Sequence, residues 1–132
     1  MTQQITTGYR ELVDRSRARI EELTANQVIA AHGDPSVVLV DLREGDEIGR
    51  EGRIPGAFHC PRGRLEFWID PASPYFKDVF AEDKIFIFYC ALGWRSALAA
   101  DTAQTMGLKP VAHLYEGFKA WKEAGGAIEK VD

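Results

Sequence analysis

Two stretches constrain this chain more than any others: "SVVLVDLRE", residues 36–44, and "KIFIFYC", residues 84–90. Each is a continuous apolar run rather than an alternation of apolar and polar residues. A strand of that kind is buried on both faces, and a parallel sheet covered on both sides by helices is the arrangement that buries it. The segments between and after these runs supply the helices. "SALAADTAQTMG" reads as an alanine-rich helix that Gly107 can stop, "VAHLY" as a further strand, and "GFKAWKEAGG" as a short helix with a glycine stop. "EGRIPGAFHCPRGR" is turn chemistry around a short strand at about residues 57–60, and "LEFWIDPASPYF" suits short helical turns packed on the sheet. Strands alternating with helices predict an α/β fold with a central, mainly parallel sheet flanked by helices.

The N-terminal part reads differently. "YRELVDRSRARIEE", residues 9–22, sets Leu12, Val13 and Ile20 among arginines and acids at helical spacing, the pattern of an exposed amphipathic helix. Thr24 and Gln27 have capping-box spacing ahead of a short helix ending near Gly33. The expected organisation is an N-terminal helical extension over residues 1–34 and one compact domain over residues 35–132. That extension would pack on the domain or make a dimer, so monomer and homodimer both stand.

Composition removes several function classes. At 132 residues with 45% hydrophobic content the chain builds one core, not two. A formal net charge of −4 is not the electrostatic footprint of a nucleic-acid binder or of a protein held on anionic membranes. "MTQQITTGYR" lacks the apolar centre of a signal peptide, and the longest apolar run, residues 85–92, falls far short of the roughly 20 residues of a membrane span. The expectation is a soluble cytoplasmic protein whose partners are neither nucleic acid nor membrane. Cys60 and Cys90 are too few for a disulfide scaffold, and His32, His59 and His113 show no metal-binding spacing, so neither a disulfide nor a metal is expected.

Cys90 ends the second apolar run. In open parallel sheets ligands bind at the carboxyl ends of strands, in the loops leading into helices. The loop "CALGWR" leads straight into a helix expected to begin at about Ser96, so backbone N–H groups of Ala91, Leu92, Gly93, Trp94, Arg95 and Ser96 are placed to converge on the cysteine sulfur. Free amides and the positive end of a helix dipole favour an anion there. Such surroundings lower a cysteine pKa from about 8.5 into a range of roughly 3.5–7.5, so Cys90 is expected to be mostly thiolate at neutral pH. Gly93 provides a position free to take positive φ, and Arg95 a permanent charge with forked donors.

These residues carry a family resemblance. "DLREGDEIGREGRIPGAFHCPRG", "YCALGWRSA" and "LYEGFKAWKEAGG" resemble, in order, the D-x-R, G-x-I-P-G-A, C-x-x-G-x-R-S and G-G-x-x-x-W segments of rhodanese-like domains, over residues 37–126. The resemblance implies a central five-stranded sheet flanked by helices. It also implies a sulfurtransferase in which Cys90 accepts a sulfane sulfur from a donor such as thiosulfate, holds it as a persulfide with no other cofactor, and passes it to cyanide or a thiol, or to a protein partner. Related phosphatases and arsenate reductases carry C-x5-R, a ring sized for a tetrahedral oxyanion. Here four residues separate Cys90 from Arg95, a smaller cradle that suits one sulfur atom. The alternatives are a rhodanese-like binding or regulatory module without turnover, and, more remotely, a phosphatase or arsenate reductase relative.

The sequence departs from the family pattern at Arg53, where histidine is common, and at Glu116, where glycine is frequent. The loop interior is apolar at Ala91, Leu92 and Trp94, so thiosulfate is expected to be a weakly bound donor unless Arg43, Arg53, Arg62 or Arg64 reaches the pocket mouth. Trp94 is a candidate platform for a larger donor or a protein. Asp41 is expected to pair with Arg95 and fix the cradle, and Arg43 to be either a solvated strand-end charge or a substrate contact. Cys60 is a candidate resolving thiol against the plainer reading of a buried one. His59 or His113 beside Cys90 would suggest a cysteine hydrolase, a reading without a supporting motif.

Overall fold

The computed structural model describes residues 2–131. Its helices are α1 (Tyr9–Arg17), α2 (Ala25–Ala31), α3 (Gly45–Glu51), α4 (Leu65–Ile69), α5 (Trp94–Met106) and α6 (Gly117–Glu123). Its strands are β1 (Glu21–Leu23), β2 (Val37–Asp41), β3 (Phe58–His59), β4 (Ile85–Tyr89) and β5 (Val111–Leu114). All pairings are parallel, in the order β1-β5-β4-β2-β3. The two apolar runs become the adjacent strands β2 and β4, with Val40 opposite Phe88 and Asp41 opposite Tyr89.

Alternation along these strands divides the core into two layers. Phe86 and Phe88 of β4, with Val40, pack against Ala99, Ala100 and Ala103 of α5 and Leu65 and Ile69 of α4. Ile87 and Tyr89, with Leu39, face Val28 of α2 and Phe118 and Trp121 of α6. The alanines of α5 let this helix lie close on the sheet, so its N-terminus arrives directly beside the end of β4. No helix of the described residues is long and apolar enough to cross a membrane.

The N-terminal region differs from its sequence reading. The first helix stops at Arg17, and residues 21–23 form an edge strand that pairs with β5, Glu22 lying opposite His113. Three residues that include two glutamates carry no period by which a strand is recognised; pairing to β5 overrides the local pattern. Residues 21–31, placed by sequence in the extension, therefore belong to the sheet and its core, with Ala25 and Val28 buried. Only α1 stands outside, packed across α5 and pinned to it. Ser16 donates to Asp101 at 2.9 Å, and Arg19 pairs with the same carboxylate at 2.7 Å.

Gly126 has a packing role. A Cβ on Gly126 would lie 2.2 Å from the indole of Trp121, which is fully buried and donates from Nε1 to the Ala127 carbonyl at 2.8 Å. Gly126→Ala must displace that ring or its own backbone and is expected to lose about 1–3 kcal/mol, measured by urea unfolding. Gly49→Ala, where a Cβ meets nothing within 4 Å, should show no such loss.

Candidate active site

Cys90 follows β4 immediately, and α5 begins at Trp94, two residues earlier than its sequence pattern indicates. Gly93 makes the turn between them with φ 93°, and a Cβ there would approach the Glu116 amide to 3.1 Å. The helix has no side-chain cap of its own at Gly93. The Cys90 sulfur takes that place: it accepts from the Gly93 N–H at 3.2 Å and the Ser96 N–H at 3.4 Å, and the Ser96 hydroxyl lies 3.6 Å away. Unpaired amides of a helix's first turn thus end on the sulfur, where the helix dipole also favours negative charge.

From the other side the loop is held by α6. Phe118 and Lys119 donate their amides to the carbonyls of Cys90 and Ala91 at 2.8 and 3.2 Å. A Cβ on Gly117 would come within 2.6 Å of those two carbonyl oxygens. Glu116 before it adopts φ 62°, a left-handed conformation that glycine takes without strain, which gives the physical reason for glycine at this place in the pattern.

Arg95 does not pair with Asp41 as its spacing suggested. Its two terminal nitrogens donate to the two carboxylate oxygens of Glu47 at 2.7 and 2.8 Å. This forked pair raises the arginine's pKa, and the Cys90 sulfur adds to the effect. Asp41, 1% exposed, is satisfied elsewhere. It accepts from Arg43 Nε and Nη2 at 3.0 and 2.7 Å, from the Arg43 amide at 3.0 Å, and from the Tyr89 hydroxyl at 2.7 Å. The two charges sit two residues apart at a strand end, so the nearer partner wins. Arg43, also 1% exposed, is neither a solvated charge nor a free ligand. Its Nη2 also donates to the Gly52 carbonyl at 2.8 Å, and its guanidinium lies 4.3 Å from the Phe118 ring centre.

The other candidates separate cleanly. Cys60 shares an apolar cluster with Cys90, and burial pushes its thiol up to about 12, which leaves it a core residue without the thiolate a resolving role needs. His59 bonds the Arg43 carbonyl at 2.7 Å. His113 comes near: its Nδ1 lies 2.9 Å from Ser96 Oγ, and its Nε2 lies 2.8 Å from Glu22. Leu92 and Trp94 are about half exposed on the loop's crest, and the Tyr9 ring of α1 packs 4.9 Å from that of Trp94. Of the arginines named for the pocket mouth, Arg53 pairs with Glu129 and Arg62 with Glu66, while Arg64 lines a separate pocket with Glu44 and Tyr75. Arg43, though committed to Asp41, lines the cavity of about 450 Å³ beside Ala91 and Leu92, together with Arg50, Lys119 and Lys122. Sequence reasoning missed Glu47 and Glu22. The first was detectable, since Glu44 and Glu47 have capping-box spacing and the Glu44 amide donates to the Glu47 carboxylate at 2.8 Å. Nothing local marks the second.

The family assignment rests on comparison with known proteins. Residues 24–124 match the family model described as rhodanese-like domain. The chain belongs to the rhodanese family. It is 31% identical to the thiosulfate sulfurtransferase GlpE of Shewanella oneidensis over 104 residues, which is 79% of this chain and 94% of that protein. A solved structure from Rhodopseudomonas palustris, described as a protein of unknown function and possible tyrosine phosphatase, is 59% identical with a TM-score of 0.95, covering 98% of this chain and 99% of that one. The single-domain sulfurtransferase RDL2 of Saccharomyces cerevisiae is 26% identical with a TM-score of 0.66, covering 85% of this chain and 96% of that one. The chain spans 67% and 57% of two longer curated relatives. The five-stranded parallel sheet and helical layers are those of the rhodanese fold.

The Glu47 carboxyl is lowered from its ordinary 4.5 to about 2, chiefly by the Arg95 hydrogen bonds, against partial burial. Its contribution to stability is therefore complete above about pH 4.5 and is lost as the pH falls toward about 2. Urea unfolding of Glu47→Gln should show a constant deficit against the parent protein from pH 5 to 7 that shrinks toward zero at about pH 2.

Proposed function

We propose that this rhodanese domain is a sulfurtransferase in which Cys90 carries the sulfur. The observation that carries the reading is the Cys90 sulfur held by the Gly93 and Ser96 amides at 3.2 and 3.4 Å, beneath an arginine locked in place by Glu47. In the first half-reaction the Cys90 thiolate bonds to the outer sulfur of a donor such as thiosulfate. The donor's S–S bond breaks, and sulfite leaves with the electron pair. The loop amides are positioned to hold the resulting persulfide anion. Cyanide or a thiolate then attacks the outer sulfur, and Cys90 departs as thiolate. The covalent persulfide replaces any separate cofactor.

Intact mass after incubation with thiosulfate tests this directly. A gain of about 32 Da, one sulfur atom, should appear, vanish on adding cyanide and be missing from Cys90→Ser. Absence of the adduct in the parent protein refutes the reading and leaves a rhodanese-like module that binds without turnover.

The Rhodopseudomonas neighbour's description raises phosphatase chemistry as a second reading. Two features weigh against it. Four residues separate Cys90 from Arg95, and both terminal nitrogens of Arg95 are occupied by a carboxylate that would repel a phosphate dianion. Cys90-dependent hydrolysis of p-nitrophenyl phosphate would reverse that judgement.

Charge at the mouth bears on donor affinity. Arg43, Arg50, Lys119 and Lys122 are opposed there by Glu47, Glu51 and Glu123, and two of the cations are already committed, Arg43 to Asp41 at 2.7 Å and Lys122 to Glu51 at 3.3 Å. A dianion gains little from so nearly balanced a rim, so thiosulfate should show a high KM. Glu51→Gln frees Lys122 and is expected to lower that KM by about two- to fivefold with kcat unchanged, the scale of one exposed charge pair.

A further inference from the structure

The Cys90 sulfur is the first member of a chain of side chains that runs under the sheet's end to the opposite face of the loop. Ser96 Oγ lies 3.6 Å from the sulfur and 2.9 Å from His113 Nδ1. His113 Nε2 lies 2.8 Å from Glu22, and Arg17 holds the same carboxylate through Nε and Nη2 at 2.8 and 3.2 Å. The directions of these bonds follow from chemistry. A carboxylate paired with arginine only accepts, so Nε2 of His113 carries the hydrogen. In a neutral ring Nδ1 is then bare, so the Ser96 hydroxyl donates to it and its oxygen is left to accept from the Cys90 thiol. Burial lowers the His113 pKa, with Arg17 assisting, so the resting ring is neutral; Glu22 opposes the shift and is the partner that favours the protonated ring.

Sulfur transfer needs such a device. A thiol that becomes a persulfide anion releases one proton in the first half-reaction, and the same proton must return when Cys90 is restored. The site itself is dry: Cys90 and His113 are each 1% exposed and Ser96 is fully buried. We propose that Ser96 and His113 form a proton relay for Cys90, with Glu22 as the residue that orients and stabilises the ring. Before Cys90 bonds to the donor sulfur, its S–H proton passes to Ser96 Oγ as the Ser96 hydroxyl proton passes to His113 Nδ1, which leaves the thiolate that attacks in the first half-reaction and an imidazolium held against Glu22. When the acceptor removes the sulfur, the Cys90 electron pair recovers a proton by the reverse steps, so no oxidant or reductant is consumed. Ser96 touches the reacting sulfur; His113 and Glu22 act through it.

The far end of this relay lies outside the residues matched to the rhodanese-like family, which begin at position 24. Glu22 comes from edge strand β1 and Arg17 from α1. The relay ends at a cavity of about 330 Å³ between α1 and the loop, with His113 in its wall. The charged and titratable groups around that wall are Arg10, Asp14 and Arg17 of α1, Tyr9 ahead of them, and Tyr115 and Glu116 after β5. Arg95 faces the sulfur from the opposite side.

The proposal rests on the sulfur-transfer reading for its purpose, but it is tested without a sulfur donor. The rate of iodoacetamide alkylation of Cys90 is followed by intact mass from pH 5 to 10 in the full chain. In His113→Gln the amide can still bond Ser96 and Glu22 yet takes no proton. It should alkylate at least about tenfold more slowly at pH 7, a modest share of what general base assistance supplies. It should also rejoin the parent rate above the ordinary thiol pKa of about 8.5. Ser96→Ala should behave alike, and Glu22→Gln should shift the profile in the same direction by less. A His113→Gln profile that superimposes on the parent, or a loss equal at every pH, overturns the relay. If His113→Gln fails to fold by circular dichroism, Glu22→Gln, at a side chain 27% exposed, decides, and an unshifted profile there overturns it equally. A shifted profile together with no sulfur adduct in the parent protein would retain the relay and reject sulfur transfer.

Discussion

The Asp41 carboxylate is the hinge on which the active end of this fold turns. Placed at the end of β2 and almost wholly buried, it needs compensation that water cannot give. Arg43 and Tyr89 provide it from either side. Each partner then reaches onward: Arg43 to the Gly52 carbonyl and Tyr89 to the Ile54 amide at 3.2 Å. Those bonds fix the chain on leaving α3, and α3 carries Glu47. Glu47 in turn holds Arg95 over the cysteine loop. A buried carboxylate thus sets, through two intermediates, where the charge beside Cys90 stands. Removing one member of such a cluster leaves the others uncompensated, at a cost of about 3–5 kcal/mol for a buried ion pair.

Legibility in the sequence followed how local each cause was. The strands β2 and β4 were plain because double-sided burial writes itself as an unbroken apolar run, and α5 because alanines between a glycine turn and Gly107 have few other uses. Cys90 and its loop were equally plain, since strand end, glycine and arginine lie within six residues. The ion pairs were not. Asp41 has two arginines at plausible distance, Arg43 and Arg95, and spacing alone does not say which carboxylate each prefers. β1 was hidden because three residues, two of them charged, form a strand only when β5 offers its edge.

His113 shows the same limit from another angle. Within "VAHLY" it is a single polar residue in a buried strand, and its natural reading is a core histidine with satisfied hydrogen bonds. The structure satisfies it, but with two partners of different origin: Ser96 from the first turn of α5 and Glu22 from β1. Parallel pairing puts Glu22 directly opposite His113, and the alanine-rich face of α5 brings Ser96 down onto the ring. What makes the histidine more than a packed residue is therefore that its own strand meets two elements, β1 and α5, neither of which is near it in sequence.

The two sides of the loop consequently have different characters. Toward α3 and α6 the loop meets charges of both signs around an open cavity. Toward α1 it meets Tyr9, Trp94 and Tyr115 above the buried line of hydrogen bonds that begins at the sulfur. Leu92, about half exposed, lines both cavities. In the proposed relay, an apolar side chain at this position leaves Ser96 and His113 as the route for the proton.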